Sequence, residues 1–449
     1  MKIAVFFCTI LLLSGCSAKD GQLPSTGILS EQQIQEAYHI DRAWWKLYND
    51  PSLNALVEMA LERNVDLARS TISVNRALYQ ARQLGAELIP SFSGKGESSS
   101  KNSLDSGKTA RSFNASFGIS YELDLWGRLR DASSAKTWEY RATEQDREAT
   151  KLALINSVVN TWYSMAYTSQ ALTLSRDNLA YYEKLLRIIE EKYQSGQIDG
   201  LSPLQARQSL LTQKNTVLRL EEELNEEIQT LHNLLNLRPQ EEIDYSMPDL
   251  LSLSVPSVDL NVPIESLGSR PDVNAAAYRL LSAFRDKNAA ERDLFPSLSI
   301  GGSLGLSSSS SSEFFRSSFL NGLVSLSLPF LDWNRVKWNV KIAEANYKDS
   351  VLSFQKAVTT ALNEVSMYYA SLENSRQQLE NIKKKYNTDA QIEAYRKARY
   401  EAGADELKDW LDALRTRNES RLSVLEKKYS VISASNAIWQ AMGGRISAS

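Results

Sequence analysis

Apolar and polar side chains alternate along the segment that ends at Arg128. From Ser112 to Leu123 every second position is apolar, which is typical of a β-strand with one apolar and one polar face. A protein core or membrane lipid could cover the apolar face, and the period alone leaves both open. Trp126 and Arg128 follow the strand, and bilayer interfaces favour such aromatic and cationic residues. The apolar positions are Phe113, Ala115, Phe117, Ile119, Tyr121 and Leu123.

Beyond this strand the apolar period changes to three and four residues. No proline occurs from Gly127 to about Ser195, and the apolar stripe has the spacing of a coiled coil. At about 1.5 Å per residue such a helix would be roughly 100 Å long, which is too long for a compact globule. A second striped segment runs from 202 to 237, and prolines punctuate the stretch 239–263. The pattern predicts long paired helices followed by a linker.

The second half of the chain repeats the first. The segment from Asp66 to Ser93 aligns without a gap to the segment from Asp272 to Ser299, at an offset of 206 residues. Later landmarks keep an offset of 207 residues, so a single residue of slip separates the two halves. These landmarks pair Trp126 with Trp333, Arg128 with Arg335, Tyr193 with Tyr400 and Gly196 with Gly403. The chain is therefore predicted to be internally duplicated.

Each half reads as helix, strand, strand, long helix, helix. The first repeat, at 53–238, has predicted strands at about 90–101 and 112–125 and helices at about 53–88, 127–195 and 202–237. The second repeat, at 264–444, has predicted strands at about 296–307 and 318–331 and helices at about 270–294, 335–402 and 407–442, before a tail at 445–449. The predicted class is mainly α with membrane β. Four strands cannot close a barrel, so several copies would share one, and a shared barrel continued by a coiled-coil tube would form a duct.

The N-terminus has the pattern of a lipoprotein signal. Lys2 precedes an apolar run that ends in Leu13-Ser14-Gly15-Cys16, which predicts a signal peptide at 1–15 and a lipid on Cys16. The alternative is a plain signal peptide with an incidental cysteine. Ser17 resembles the residue of lipoproteins that are sorted to the outer membrane. A polar arm at 16–52 follows, and since Cys8 lies in the signal, no disulfide framework is expected.

Composition argues against several function classes. The 51 basic and 54 acidic residues give a net charge of −3, without the basic footprint of a nucleic-acid binder. His39 and His232 are far apart without ligands at metal-binding spacing, and the six methionines are scattered, so neither a metal site nor a methionine-lined copper path is supported. We find no nucleotide-binding loop and no nucleophile elbow. The interpretation is a protein that is not an enzyme and has no cofactor besides the covalent lipid on Cys16.

A set of short motifs resembles the TolC/OprM-like outer-membrane factors over nearly the whole mature chain. The motifs are Trp44-Trp45 followed by Asp50 to Leu53, LDLWGR at Leu123 to Arg128, RPDV at Arg270 to Val273, FPSLS at Phe295 to Ser299, and the turns Tyr193 to Gly196 and Tyr400 to Gly403. The resemblance implies a homotrimer in the Gram-negative outer membrane, with a twelve-stranded barrel, a periplasmic α-helical tunnel and a tip that is closed at rest. It is greatest to the lipoprotein branch that works with resistance-nodulation-division pumps and periplasmic adaptor proteins.

The resemblance also implies roles for individual residues. Asp409 and Asp412, three apart on one helical face, match acids that constrict the tip, so a trimer would place six carboxylates around one axis. Alternatively, these acids only complement the helix dipole near its start. The other implied sites are a gate latch at Tyr400 and Asp405 with the first-half counterparts Leu201 and Ser202, helix turns at Gly196 and Gly403, and interface aromatics at Trp126 and Trp333. Trp338 fits either the interface or ordinary packing.

The sequence thus predicts the outer-membrane exit duct of a tripartite efflux pump, passive and gated at its periplasmic tip. An exit duct of a type I protein-secretion system would have the same build with a different inner-membrane partner. A non-conducting structural lipoprotein of the envelope is the alternative from another class, but it leaves the four amphipathic strands and their duplication without explanation.

Overall fold

The computed structural model describes residues 38–102, 104–105, 107, 109–256, 268, 270–308 and 318–448. The helices are α1 (Pro51–Arg63), α2 (Val65–Gly85), α3 (Arg128–Gln194), α4 (Leu201–Leu234), α5 (Pro271–Arg292), α6 (Trp333–Glu401) and α7 (Leu407–Ala441). The strands are β1 (Tyr38–Asp41), β2 (Ser91–Asn102), β3 (Thr109–Leu123), β4 (Ser297–Ser308), β5 (Ser318–Ser327) and β6 (Arg445–Ala448). The predicted class, a mainly helical duplicated chain with four membrane strands, is confirmed. The signal peptide, Cys16 and the linker beyond 256 lie outside the described residues.

The four long strands form one antiparallel sheet in the order β2-β3-β4-β5. The central pairing, β3 with β4, joins the two repeats and places Tyr121 opposite Ile300. Within the described part of the chain, the outer edges of β2 and β5 have no partner strand. The predicted strand at 318–331 is too long, because β5 ends at Ser327 and a 3₁₀ turn spans Pro329–Asp332. Proline lacks the N–H that a ladder needs, so the strand cannot continue through Pro329.

The single helix predicted at about 53–88 is wrong, because the chain breaks it at Asn64. This residue has extended backbone angles, and its Oδ1 accepts a hydrogen bond from the Leu67 N–H at 3.0 Å, so it caps α2. Its Nδ2 also donates to the Leu234 carbonyl at the end of α4, at 2.9 Å. The Asn64 side chain thus caps the start of α2 and binds the end of α4. The contact with α4 could not be predicted from the local sequence.

An aromatic core near the middle of the long helices anchors the N-terminal arm. Trp44 lies 5.1 Å from Trp439 of α7, centroid to centroid. Asp50 caps α1 through the Leu53 N–H at 3.0 Å and accepts from Trp162 Nε1 of α3 at 2.7 Å. The arm's β1 pairs with β6, so the predicted tail at 445–449 contains a strand. The two ends of the described chain are therefore tied together at this core, which we call the equatorial core.

The helices lie side by side rather than around one compact core. On the sheet side of the equatorial core α3 packs between α2 and α5, and α6 packs on α5. On the other side α3 packs between α4 and α7, and α6 packs on α7. The protomer is thus an open ribbon with α2 and α4 along one edge and α6 along the other. No helix of the described residues is both long and apolar enough to cross a membrane.

Arg270 of the RPDV motif joins the start of α5 to the end of α7. Its buried guanidinium pairs with Asp272 and Glu364, each at 2.7 Å, and donates to the carbonyl of Ala441 at 2.9 Å. These pairs raise the pKa of Arg270 and keep the pKa of Asp272 below its usual range, although burial opposes both shifts. The motif therefore fixes where α7 stops and β6 begins.

A half-buried carboxylate lies beside the equatorial core. Glu227 of α4 accepts hydrogen bonds from the hydroxyls of Ser164 and Thr168 of α3, while its Oε2 has no hydrogen-bond partner among the residues that the structure describes. Burial raises the pKa of Glu227, the two hydroxyls lower it in part, and nearby Glu223 raises it further. The folded state therefore binds this proton more tightly than the unfolded chain.

We expect Glu227→Gln to stabilise the protein at pH 8. The pKa of Glu227 is higher in the folded state than in the unfolded chain. The free energy of unfolding therefore falls as the pH rises from the unfolded-state pKa to the folded-state pKa, and the loss of stability is complete above the folded-state pKa. The amide keeps an acceptor for the two hydroxyls and carries no charge. Thermal unfolding of the detergent-purified protein should show a midpoint about 1–2 °C above wild type at pH 8, and no gain below pH 4. The exposed neighbour Glu226→Gln is the control, and an equal gain there would contradict the assignment.

Candidate functional site

Two helical hairpins end side by side at the tip far from the sheet. Gly196 follows α3 and Gly403 follows α6, with φ of +72° and +73°, a conformation that L side chains rarely adopt. The turns repeat the same hydrogen bonds: the glycine N–H reaches the carbonyl of Tyr193 or Tyr400 at 3.0 Å, and the next N–H reaches Lys192 or Arg399. A cleft of about 510 Å³ lies between the two tips.

The two acids predicted for the gate, Asp409 and Asp412, are both exposed at the start of α7. The opposite face of this helix start is buried and consists of Leu407, Trp410, Leu411 and Leu414. Asp412 has one salt bridge, to Arg415 of its own helix, at 3.5 Å. Asp409 stands in the first helical turn, so it also complements the helix dipole. Both carboxylates are exposed on the same side of the helix start.

Asp405, predicted for the latch, is held by its own hairpin. Arg396 Nη1 and Arg399 Nε donate to its two carboxylate oxygens at 2.9 and 2.8 Å. Hydrogen bonds from Arg399 and Arg396 keep the pKa of Asp405 below its usual range. Asp405 therefore clamps the turn after α6.

The first-half counterparts, Leu201 and Ser202, line the cleft but make no pair with Asp405. Ser202 donates through its hydroxyl to Asp199 Oδ1 at 3.1 Å, and Leu201 is exposed. Tyr400, also predicted for the latch, stacks on Trp410 with 5.3 Å between ring centroids. Lys192 of the first hairpin lies 5.2 Å from the Tyr400 ring. Neither Lys192 nor Trp410 was predicted, although Trp410 stands directly between the two gate acids in the sequence.

Trp126 and Trp333, the predicted interface aromatics, lie where strand passes into helix, and both are exposed. Trp126 donates its Nε1–H to the Pro296 carbonyl at 2.8 Å and stacks on Phe295. Trp338 is exposed as well, with Lys337 Nζ at 5.5 Å from its ring. Of the three indoles, Trp126 is thus held in place by contacts from the second repeat.

A buried polar cluster beside this aromatic level was not predicted. Gly127 has a φ of +80°, and a Cβ there would come within 2.7 Å of Arg292. Arg292 donates to the Gly127 carbonyl at 3.0 Å and pairs with buried Asp131, which also pairs with Arg285 at 3.3 Å. This cluster fixes the direction in which α3 leaves the sheet. Its residues come from α3 and α5, so only their distant pairing could have revealed it.

In the part of the chain that the structure describes, no three His, Cys, Asp or Glu side chains are grouped to hold a metal ion. The tip instead presents exposed carboxylates at the end of a long helical assembly. An arrangement of four amphipathic strands continued by two long helical hairpins is that of a channel-forming envelope protein. The comparisons with known proteins agree with this class.

The family model described as "Outer membrane efflux protein" matches residues 56–237 and 262–444, one segment in each repeat. The chain belongs to this family, and the predicted resemblance to the TolC/OprM-like outer-membrane factors is confirmed. Its place is the outer membrane of a Gram-negative bacterium, and its class is an outer-membrane efflux channel.

Full-length relatives are similar along nearly the whole chain. "Toxin and drug export protein A" of Aggregatibacter actinomycetemcomitans is 40% identical over 447 residues, covering 99% of this chain and 98% of that protein. "Cation efflux system protein CusC" of Escherichia coli (strain K12) is 26% identical over 453 residues, covering 98% of each.

Solved structures show the same fold at lower identity. A crystal structure of CusC superposes with a TM-score of 0.85 at 24% identity, covering 95% of this chain and 99% of that one. The outer-membrane channel OprN superposes with a TM-score of 0.82 at 22% identity, covering 95% and 98%.

Proposed function

We propose that three copies of this chain form a passive exit duct of a tripartite efflux pump, gated at the hairpin tips. The duct receives small toxic molecules from an inner-membrane pump of the resistance-nodulation-division class through a periplasmic adaptor protein. The chain itself catalyses no reaction, and an acyl chain on Cys16 supplements its membrane attachment. Asp409 and Asp412 of each copy form the constriction.

The observation that carries this proposal is the pair of unpartnered apolar edges of the protomer ribbon. Three exposed leucines on α4, Leu204, Leu211 and Leu218, recur every seven residues. On α2, the other helix of this edge, Val65, Ile72 and Tyr79 are exposed at the same spacing. Seven-residue apolar stripes are the contact seams of coiled coils. Each of the two stripes, on α4 and on α2, is therefore suited to pack against a further helix.

The opposite edge offers a matching surface. On α6 the exposed apolar residues Trp338, Ile342 and Leu352 lie on the side turned away from Val336, Phe354 and Ala361, which pack inside the protomer.

At 100° per residue, the α4 stripe lies about 135° around its helix from the face that packs on α3. A closed ring of twelve helices requires about 150° between the two contact faces of each helix. The ribbon is thus shaped to close with copies of itself.

The sheet supports the same assembly. The free edges of β2 and β5 would pair between neighbouring copies, which satisfies their backbone groups in lipid. Three copies would supply twelve strands, a size that closes around a water-filled lumen.

Reconstitution tests the proposal directly. The detergent-purified chain should have the mass of three protomers by light scattering and should form cation-preferring pores in planar bilayers. A strain that lacks the chain should become more susceptible to antibiotics, detergents or bile salts, and the gene in trans should restore resistance. A monomeric protein without pores would refute the duct and favour a structural role.

A second cargo class has one specific observation in its favour. The relative that is 40% identical bears the name of a toxin and drug export protein. We infer that this chain can also serve as the exit duct of a type I secretion system. Crosslinking in cells, followed by mass spectrometry, should then capture an ATP-driven exporter besides a proton-driven pump. Capture of the proton-driven pump alone, with no secreted protein lost on deletion, would restrict the duct to small molecules.

A further inference from the structure

We propose that Trp410 is the positioning residue of the tip gate and that Lys192, from the other hairpin, secures it through Tyr400. This inference rests on the proposed function, since it concerns how the gate acids are held. Trp410 lies between Asp409 and Asp412 in the sequence and is only 5% exposed. Its indole belongs to a buried apolar cluster to which α3, α4 and α7 all contribute at the tip.

Three contacts from α6 fix the indole. The Tyr400 ring stacks on it at 5.3 Å with an angle of 28° between the planes. Its Nε1–H donates to Glu393 Oε1 at 3.0 Å, and Lys397 Nζ lies 5.8 Å from the ring centroid. Glu393 is itself buried and receives a second bond from Arg417 Nη1 at 3.4 Å. The indole is therefore held through its ring and through its polar atom.

Fixing the indole also fixes the two acids. Successive residues of an α-helix are turned by about 100°, so Asp409 and Asp412 together point about 130° away from Trp410. If the indole stays seated, the carboxylates cannot rotate about the helix axis. If it leaves its seat, the start of α7 can turn and carry both acids with it.

Lys192 carries this restraint across to the first hairpin. Its ammonium lies over the Tyr400 ring, 5.2 Å from the ring centroid, and the same ring stacks on Trp410. A lysine over an aromatic ring is attracted by the negative face of the ring, and more strongly when water is excluded. The chain Lys192, Tyr400, Trp410 thus links α3, α6 and the start of α7.

The first repeat lacks this device, although it has the same turn. Tyr193, the counterpart of Tyr400, is 50% exposed. The position that corresponds to Trp410 is Pro203. The two halves are therefore unequal at the tip, and only the second carries a seated aromatic pair next to gate acids.

Hydrogen exchange of the purified full-length protein tests the link without depending on pore activity. We expect Lys192→Met to speed exchange of the amides from 400 to 412 by roughly two- to five-fold, the equivalent of losing one cation–π contact. Lys192→Arg, which keeps a cation over the ring, should restore wild-type exchange. Lys184→Met is the matched control, because it removes an exposed lysine two turns away on the same helix. Equal exchange in Lys192→Met and wild type would overturn the proposal.

Substitution of Trp410 provides a second, independent test of the proposal. Trp410→Phe keeps a stacked ring but loses the bond to Glu393, whereas Trp410→Leu loses both. We expect exchange of residues 407–412 to rise in the order wild type, Trp410→Phe, Trp410→Leu, with the equatorial core unchanged in all three. An increase spread over the whole of α7 would show a general packing role and contradict the positioning role.

Bilayer recordings separate this inference from the proposed function. If the wild type forms pores, Lys192→Met should increase single-channel conductance and Lys192→Arg should not. If neither the wild type nor any variant forms pores, the duct is refuted, while the exchange data still decide whether Lys192 seats Trp410. Faster exchange together with unchanged conductance would refute the link to the gate.

Discussion

Replacing Asp409 and Asp412 together by alanine is expected to raise single-channel conductance in planar bilayers several-fold and to weaken cation preference. Both carboxylates are exposed at the start of α7, so a trimer would hold six of them around one axis. Such a ring concentrates cations and narrows the passage at the same point. The double variant removes the negative field and adds space.

The experiment needs a control that changes charge on the same helix away from the tip. Glu419→Ala serves, because Glu419 is exposed and lies seven residues after Asp412, on the same helical face. We expect this variant to conduct like the wild type. If the double variant keeps wild-type conductance and cation preference, the two acids are not the gate and complement only the helix dipole.

Charging the α4 stripe should abolish the trimer. We expect Leu211→Asp combined with Leu218→Asp to yield mainly monomers in detergent, measured by light scattering coupled to gel filtration. Burial of a leucine contributes about 1.5–3 kcal/mol, and an unpaired carboxylate in the same place would cost more than that gain. Because both leucines are exposed in the protomer, its helical content by circular dichroism should not change.

The matched control places the same two charges on another face of α4. Thr212→Asp with Thr230→Asp adds two carboxylates at exposed positions that lie about 100° around the helix from the stripe. This variant should remain trimeric. A trimer that survives the leucine substitutions would show that copies meet elsewhere, and the ribbon would then not close through its apolar edges.

Local periodicity was enough to predict most of the elements. The alternation around Phe117 predicted a strand and the stripe around Val159 predicted a long helix, and the structure has β3 and α3 at these places. The break at Asn64 was missed, because the apolar stripe continues across it and the residue's bond to the Leu234 carbonyl comes from a distant helix.

The candidate site was predictable in its acids and not in its contacts. Asp409 and Asp412 were assigned through their match to acids of the family, and their role at the gate stays a prediction, whereas the pairing of Asp405 with Arg396 and Arg399 depends on how the turn after α6 folds back. Lys192 and Tyr400 are more than 200 positions apart in the sequence, and nothing local joins them.

The sequence by itself determined the duplicated helix–strand pattern and the mainly helical class, because periodicity and spacing record which face of each element is buried, and its short motifs carried the resemblance to the family. Only the tertiary structure decided what each face meets. It tied β1 to β6, clamped Asp405 within its own hairpin and seated Trp410 under Tyr400. The physical reason is that contact partners depend on the path of the whole chain, whereas burial of one face requires apolar residues at regular intervals along the local sequence.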